Sequence, residues 1–186
     1  MRLILPKTHP DMRQLENLDC PLFFLAGPIL GADDWQHRMT LLLDAAVPDC
    51  IIANPSPYTP DHPLYANRLN GNEIELLDRT LWERHYLEHA GITWARGCII
   101  FWLATESNRS PRVDGKPYAM DTRGELGEWR GRAMGNKMVR QVIGADPEFP
   151  GLLNITVNTR YALGEHFPFY TTMEETVAAA VAVAMN

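Results

Sequence analysis

Apolar residues recur along this chain with two alternating periods. Short β-rich runs occur at Leu22-Phe23-Phe24-Leu25-Ala26, at Cys50-Ile51-Ile52-Ala53 and at Cys98-Ile99-Ile100-Phe101-Trp102-Leu103. The last is too short for a free-standing helix and reads as a central strand of a parallel sheet. Residues 137–143, closed by Gly144, supply a fourth strand, and residues 152–157 are a candidate fifth or an irregular segment. Between these runs the spacing turns helical. Asp33 or Asp34 can cap a helix carrying Trp35, Met39, Leu42, Leu43 and Ala46. A second helix is expected over residues 72–94, with Ile74, Leu77, Leu81, Leu87 and Ala90 on its core face. A third opens at Thr122 and runs to about Met134, and Thr172-Met173-Glu174-Glu175 caps a last one over residues 176–184. Strand-then-helix repetition predicts one domain over residues 1–186, a three-layer α/β/α fold around a flavodoxin-like parallel five-stranded sheet.

Composition narrows the function classes. The chain has 46% hydrophobic and 22% charged residues, which excludes wholesale disorder. Its net charge is −6 without any lysine or arginine run, so a nucleic-acid polymer is not an expected partner. Cys20, Cys50 and Cys98 lack metal-binding or redox spacing and sit beside apolar runs, as free thiols of a reducing compartment do. The apolar stretch at Leu3-Ile4-Leu5 is too short for a signal peptide, and no stretch spans a membrane. The expected location is the cytoplasm.

Candidate chemistry gathers where open α/β sheets bind ligands, at the carboxyl ends of the strands. Glu125 is expected there, in the first turn of the third helix, where the helix dipole would keep it ionised and fit to act as a nucleophile. Thr122-x-x-Glu125 also fits a capping box. Gly124 and Gly127 each forgo about 1 kcal/mol of helix propensity, as if something approached the backbone closely. The loops at residues 27–34, 54–70, 104–121 and 144–151 should meet at this edge. They would bring Asp33, Asp34, Trp35, Asn54, Tyr58 and Asp121 toward Glu125. Each has a plainer reading: Asp34 as a cap, Asn54 as a strand stop before Pro55, Trp35 as core. The Pro-rich loop over residues 55–63 is too long and stiff for a connector and suggests a wall or lid.

In chain order stand Phe24-Leu25-Ala26-Gly27-Pro28-Ile29, Asp34-Trp35, Asn54-Pro55, Trp82-Glu83, Ile100-Phe101-Trp102 and Thr122-x-x-Glu125-x-Gly127-x-Trp129. This series, nearly the length of the chain, resembles the nucleoside 2-deoxyribosyltransferase-like family. The resemblance implies cleavage or transfer at the N-glycosidic bond of a nucleoside or nucleotide, through a glycosyl ester on Glu125. It also implies a homo-oligomer with shared sites. Such chemistry passes through an oxocarbenium-like state and requires no metal or organic cofactor. A leaving base needs a proton. The family carries an acid six positions before the nucleophile, where this chain has Ala119, so Asp121 or Asp34 becomes the candidate donor. Gly27, Glu83 and Gly127 are carried over as substrate contacts, with Trp35, Trp102 and Tyr58 as walls for the base. The basic loop at residues 109–116 could hold a phosphate. A nucleotide-binding sensor that has lost turnover is the alternative.

His85-Tyr86-Leu87-Glu88-His89 matches the H-x-x-E-H spacing of inverted zinc proteases. A zinc site needs a third ligand and an open position, and the sequence offers no well-placed one beyond Glu125, Glu128 or His166. No metal is expected there.

Overall fold

In the computed structural model, residues 1–6, 8–10, 15, 19–69, 72–73 and 79–186 are described. The seven buried residues Gly97–Leu103 form the strand (β6) around which the rest is arranged. Its side chains alternate between two cores, as a pleated strand requires. Ile99, Phe101 and Leu103 enter one core, with Trp82, Tyr86 and Trp129. Cys98, Ile100 and Trp102 enter the other, with Met39, Leu43 and Val177.

Four further strands lie parallel to it. They are β1 (Arg2–Ile4), β3 (Leu22–Ala26), β4 (Ile51–Ala53) and β7 (Gln141–Ala145), in the spatial order β1-β4-β3-β6-β7. From β3 onward the order is that of a flavodoxin-like sheet. The fifth strand differs from expectation: it is the N-terminal β1, which pairs with β4 through Leu3 and Ile52. A three-residue edge strand leaves almost no periodicity to read. Residues 152–157 instead begin a helix, α4 (Leu152–Leu163), after Gly151 turns the chain at φ 74°. Its Thr159 is buried, while Leu152 and Ile155 pack on the first core at helical spacing.

Helices α1 (Trp35–Ala46) and α5 (Met173–Met185) cover one face of the sheet. Helices α2 (Arg79–Glu88), α3 (Met120–Gly135) and α4 cover the other. The result is the expected three-layer α/β/α architecture. The second helix starts later than its pattern suggested. Asn72–Glu73 form a short strand, β5, antiparallel to β2 (Thr8–His9). Ile74 and Leu77 lie outside the described residues. Leu81 is 52% exposed rather than core, whereas Leu87 and Ala90 are buried. After Glu88 the helix widens into a π turn, His89–Thr93. Gly144 lies inside β7 rather than closing it. A Cβ there would collide with Thr176 Oγ1 and stand 2.8 Å from the Trp102 ring, so α5 and β6 approach only over a glycine.

Cys20, Cys50 and Cys98 are buried free thiols. Burial pushes Cys50 up to about 12 and raises Cys98 further, which suppresses thiolate chemistry. No helix among the described residues is long and apolar enough to cross a membrane.

Candidate active site

Helix α3 begins two residues before its sequence signal. Its N-cap is Ala119, in the left-handed conformation (φ 54°, ψ 30°), and no side chain caps it. The Ala119 carbonyl accepts from Arg123 N at 3.0 Å, so Thr122 is already helical and buried. The capping box therefore does not form, and Glu125 stands in the second turn. A non-glycine residue held at positive φ stores about 1–2 kcal/mol of strain. Here that strained residue lines the same cleft as Glu125.

The cleft has a volume of about 630 Å³, within the range of small-molecule sites. The lining divides by chemistry, and one part is apolar: Phe24 of β3, with Pro28, Ile29, Leu30 and Pro55 from the loops after β3 and β4. The other is polar: Glu83 and Arg84 from α2, and Asp121, Glu125 and Glu128 from α3, with Arg112 contributed by the preceding loop. Of the residues singled out in the sequence, Gly27, Glu83, Asp121 and Glu125 meet here.

Glu125 was expected to stay ionised under the helix dipole. Burial instead, followed by the negative charges of Glu83 and Asp121, pushes its carboxyl up to about 7, with Arg84 acting in the opposite sense. One turn deeper in the helix, desolvation outweighs the dipole, whose influence falls off within the first turn. No hydrogen bond to the Glu125 carboxylate occurs among the described residues. Such a group is held near the balance between acid and base at neutral pH, as perturbed catalytic carboxylates often are.

The remaining sequence candidates stand elsewhere. Trp35 is core: its Nε1 donates to the Pro28 carbonyl at 2.8 Å, and it is 4% exposed. Trp102 is likewise buried on the opposite face of β6. Both rings were expected to stack on a base; the alternation of β6 and the burial of α1 turn them inward. Asn54 is fully buried and accepts from Ser56 N, stopping β4. Asp34 caps α1 through His37 N at 3.1 Å and accepts from Tyr58 hydroxyl at 2.8 Å. Asp34 and Tyr58 do not line the cleft, so Asp34 is removed as a proton donor. Gly127 also lies off the cleft, and a Cβ on Gly124 or Gly127 would meet nothing within 4 Å. The close approach inferred from their glycines belongs to Gly27 instead. There a Cβ would strike the Trp102 carbonyl oxygen and stand 2.5 Å from the Trp35 ring. Gly27→Ala is accordingly expected to destabilise the fold by about 1–3 kcal/mol, read as a lowered melting temperature, because backbone cannot retreat as a flexible side chain can.

The sequence does not announce Arg84 and Glu128 as cleft residues. Arg84 Nη1 reaches both Glu128 oxygens, at 3.1 and 3.0 Å, and Arg132 joins Glu128 to Glu88. This network ties α2 to α3 beside Glu125. Its contacts between the two helices join residues 44 apart, so no local pattern announces them. Arg112, in the loop read as a phosphate holder, already pairs with Asp114 at 2.5 and 2.9 Å.

Among the described residues the H-x-x-E-H histidines are not part of a group of three whose ligand atoms converge. His89 Nδ1 donates to the His85 carbonyl at 2.8 Å. Burial, then the neighbouring His89 and His9, push His85 down to about 4. A different trio, Asp34, His37 and His62, does bring ligand atoms together. Compared with protein-family models and with curated proteins, the chain matches none.

Proposed function

We propose that this chain is an enzyme acting at the N-glycosidic bond of a nucleoside or nucleotide, similar to the nucleoside 2-deoxyribosyltransferase-like proteins, with Glu125 as nucleophile. The observation that carries this reading is Glu125 itself. It is a desolvated carboxylate without a hydrogen-bonding partner among the described residues, in a cleft whose lining also includes Pro28, Ile29 and Leu30. Once ionised, such a carboxylate is not tied up by donors and is free to attack.

In this reading the base rests on the wall of Pro28, Ile29 and Leu30 while the sugar faces Glu83 and Glu125. The Glu125 oxygen bonds to C1′ as the C1′–N bond breaks, and the electron pair leaves with the base nitrogen. Asp121, at the mouth of the cleft, relays a proton from solvent to that nitrogen. Water then cleaves the ester in a hydrolase, or a second base does so in a transferase. The developing oxocarbenium charge is stabilised by the surrounding carboxylates. Neither step calls on a metal or an organic cofactor. A homo-oligomer in the cytoplasm is the proposed setting.

A panel of ribo- and deoxyribonucleosides, with and without a 5′-phosphate, tests this by chromatography of released base. Release of free base, or exchange into an added second base, is expected for at least one member. Tight binding of a nucleotide with no base release across the panel would favour the sensor alternative and end the enzyme reading.

A further inference from the structure

We propose that Asp34, His37 and His62 form a binding site for one divalent transition-metal ion of the zinc type. The site lies outside the cleft, and the proposal does not depend on any reading of the cleft's chemistry. Asp34 caps α1 by accepting from the His37 backbone amide, so the carboxylate and the residue that carries the imidazole share the first turn. His62 arrives from the Pro-rich loop, just before the short 3₁₀ helix Pro63–Asn67. One ligand atom from each residue lies within 4.8 Å of the other two.

The surroundings orient these groups. Tyr58 stacks on the His62 ring at 3.6 Å with planes 9° apart, and its hydroxyl donates to Asp34 Oδ1. The other oxygen, Oδ2, is left 3.2 Å from His62 Nε2. The His37 ring meets His62 edge-on at 5.1 Å, and no hydrogen bond to either of its nitrogens occurs among the described residues. A carboxylate fixed by an outer hydrogen bond, beside two imidazoles on separate rigid elements, is the usual layout of a metal's ligands and their supports. Two nitrogens and one oxygen suit Zn²⁺, Co²⁺ or Ni²⁺, whereas Mg²⁺ and Ca²⁺ prefer all-oxygen sets. Partial exposure of all three residues leaves a fourth position for water.

Without metal, His62 Nδ1 accepts from Leu64 N at 3.2 Å, so Nε2 carries the ring proton toward Asp34. Capture of a metal at Nε2 moves that proton to Nδ1 and frees the Leu64 amide to water. The ion would clamp the Pro-rich loop to α1. Pro55, which lines the cleft, opens the loop so clamped.

The test titrates zinc sulfate into the chelator-treated full chain by calorimetry, with cobalt absorption as a report on ligand geometry. One equivalent should bind and raise the melting temperature. His37→Ala, which leaves the Asp34 cap and the Tyr58 stack in place, should weaken binding by about 10²-fold or more and remove the cobalt signal. His62→Ala should act alike, and His89→Ala should leave binding unchanged. The metal-free melting temperature of His37→Ala should equal that of the parent chain. Absence of stoichiometric binding, or wild-type binding by both His37→Ala and His62→Ala, overturns the proposal.

Discussion

Glu125→Gln is expected to lower turnover on a confirmed substrate by about 10⁴-fold or more, because an amide cannot form the glycosyl ester. The same variant should be more stable than the parent above neutral pH. Folded Glu125 titrates at about 7 because it is desolvated, against an ordinary value of 4.5. Between these values the folded state holds a proton that the unfolded chain has lost. Stability therefore declines as the pH rises through that window, and glutamine escapes the decline. Discounted for the partial exposure of the side chain, the gain is on the order of 1–2 kcal/mol. For a chain of this size it corresponds to roughly 2–8 °C in melting temperature. The parent's kcat/KM should also rise with pH along a limb near 7, as the nucleophile ionises. Near wild-type turnover in the glutamine variant would falsify the nucleophile assignment. A stability gain without loss of activity would mark Glu125 as merely a strained buried acid.

Asp121→Asn should slow cleavage of natural nucleosides by about 10²-fold or more, since their bases leave only when protonated. A nitrophenyl deoxyriboside, whose leaving group needs no proton, should be affected far less. The variant carries a second signature. Asp121 contributes to the raised pKa of Glu125, so its loss should move the rising limb of the pH profile to lower pH. Asp121 also lies in the first turn of α3, where its charge favours the helix by about 0.3–1 kcal/mol. Equal losses on both substrates would reduce Asp121 to that helix-stabilising role. Glu83 or a water molecule would then become the donor, as Asp34 stands outside the cleft.

The alternation of buried runs and helical spacings along the chain determined most of the fold. Leu22–Ala26 and Trp35–Ala46 have the boundaries their patterns predict, because a strand buried on both faces and an amphipathic helix each impose a local period. The three layers and the position of Glu125 at the carboxyl edge follow from the same repetition. Local pattern failed where position depends on partners distant in the chain. The edge strand β1 is too short to show a period and exists because β4 offers it a ladder. Residues 152–157 are β-branched enough to suggest a strand, yet packing of one face on the first core makes them helical. The site divides in the same way. Residue types singled out Glu125 as the candidate carboxylate. Tertiary packing decided that Trp35 and Trp102 turn into the core, that Asp34 and Tyr58 join His62 instead of the cleft, and that Arg84 reaches Glu128 across 44 residues. Ionisation belongs wholly to this second category. Glu125 is an ordinary glutamate in the sequence, and only its desolvation beside Glu83 and Asp121 lifts it to about 7.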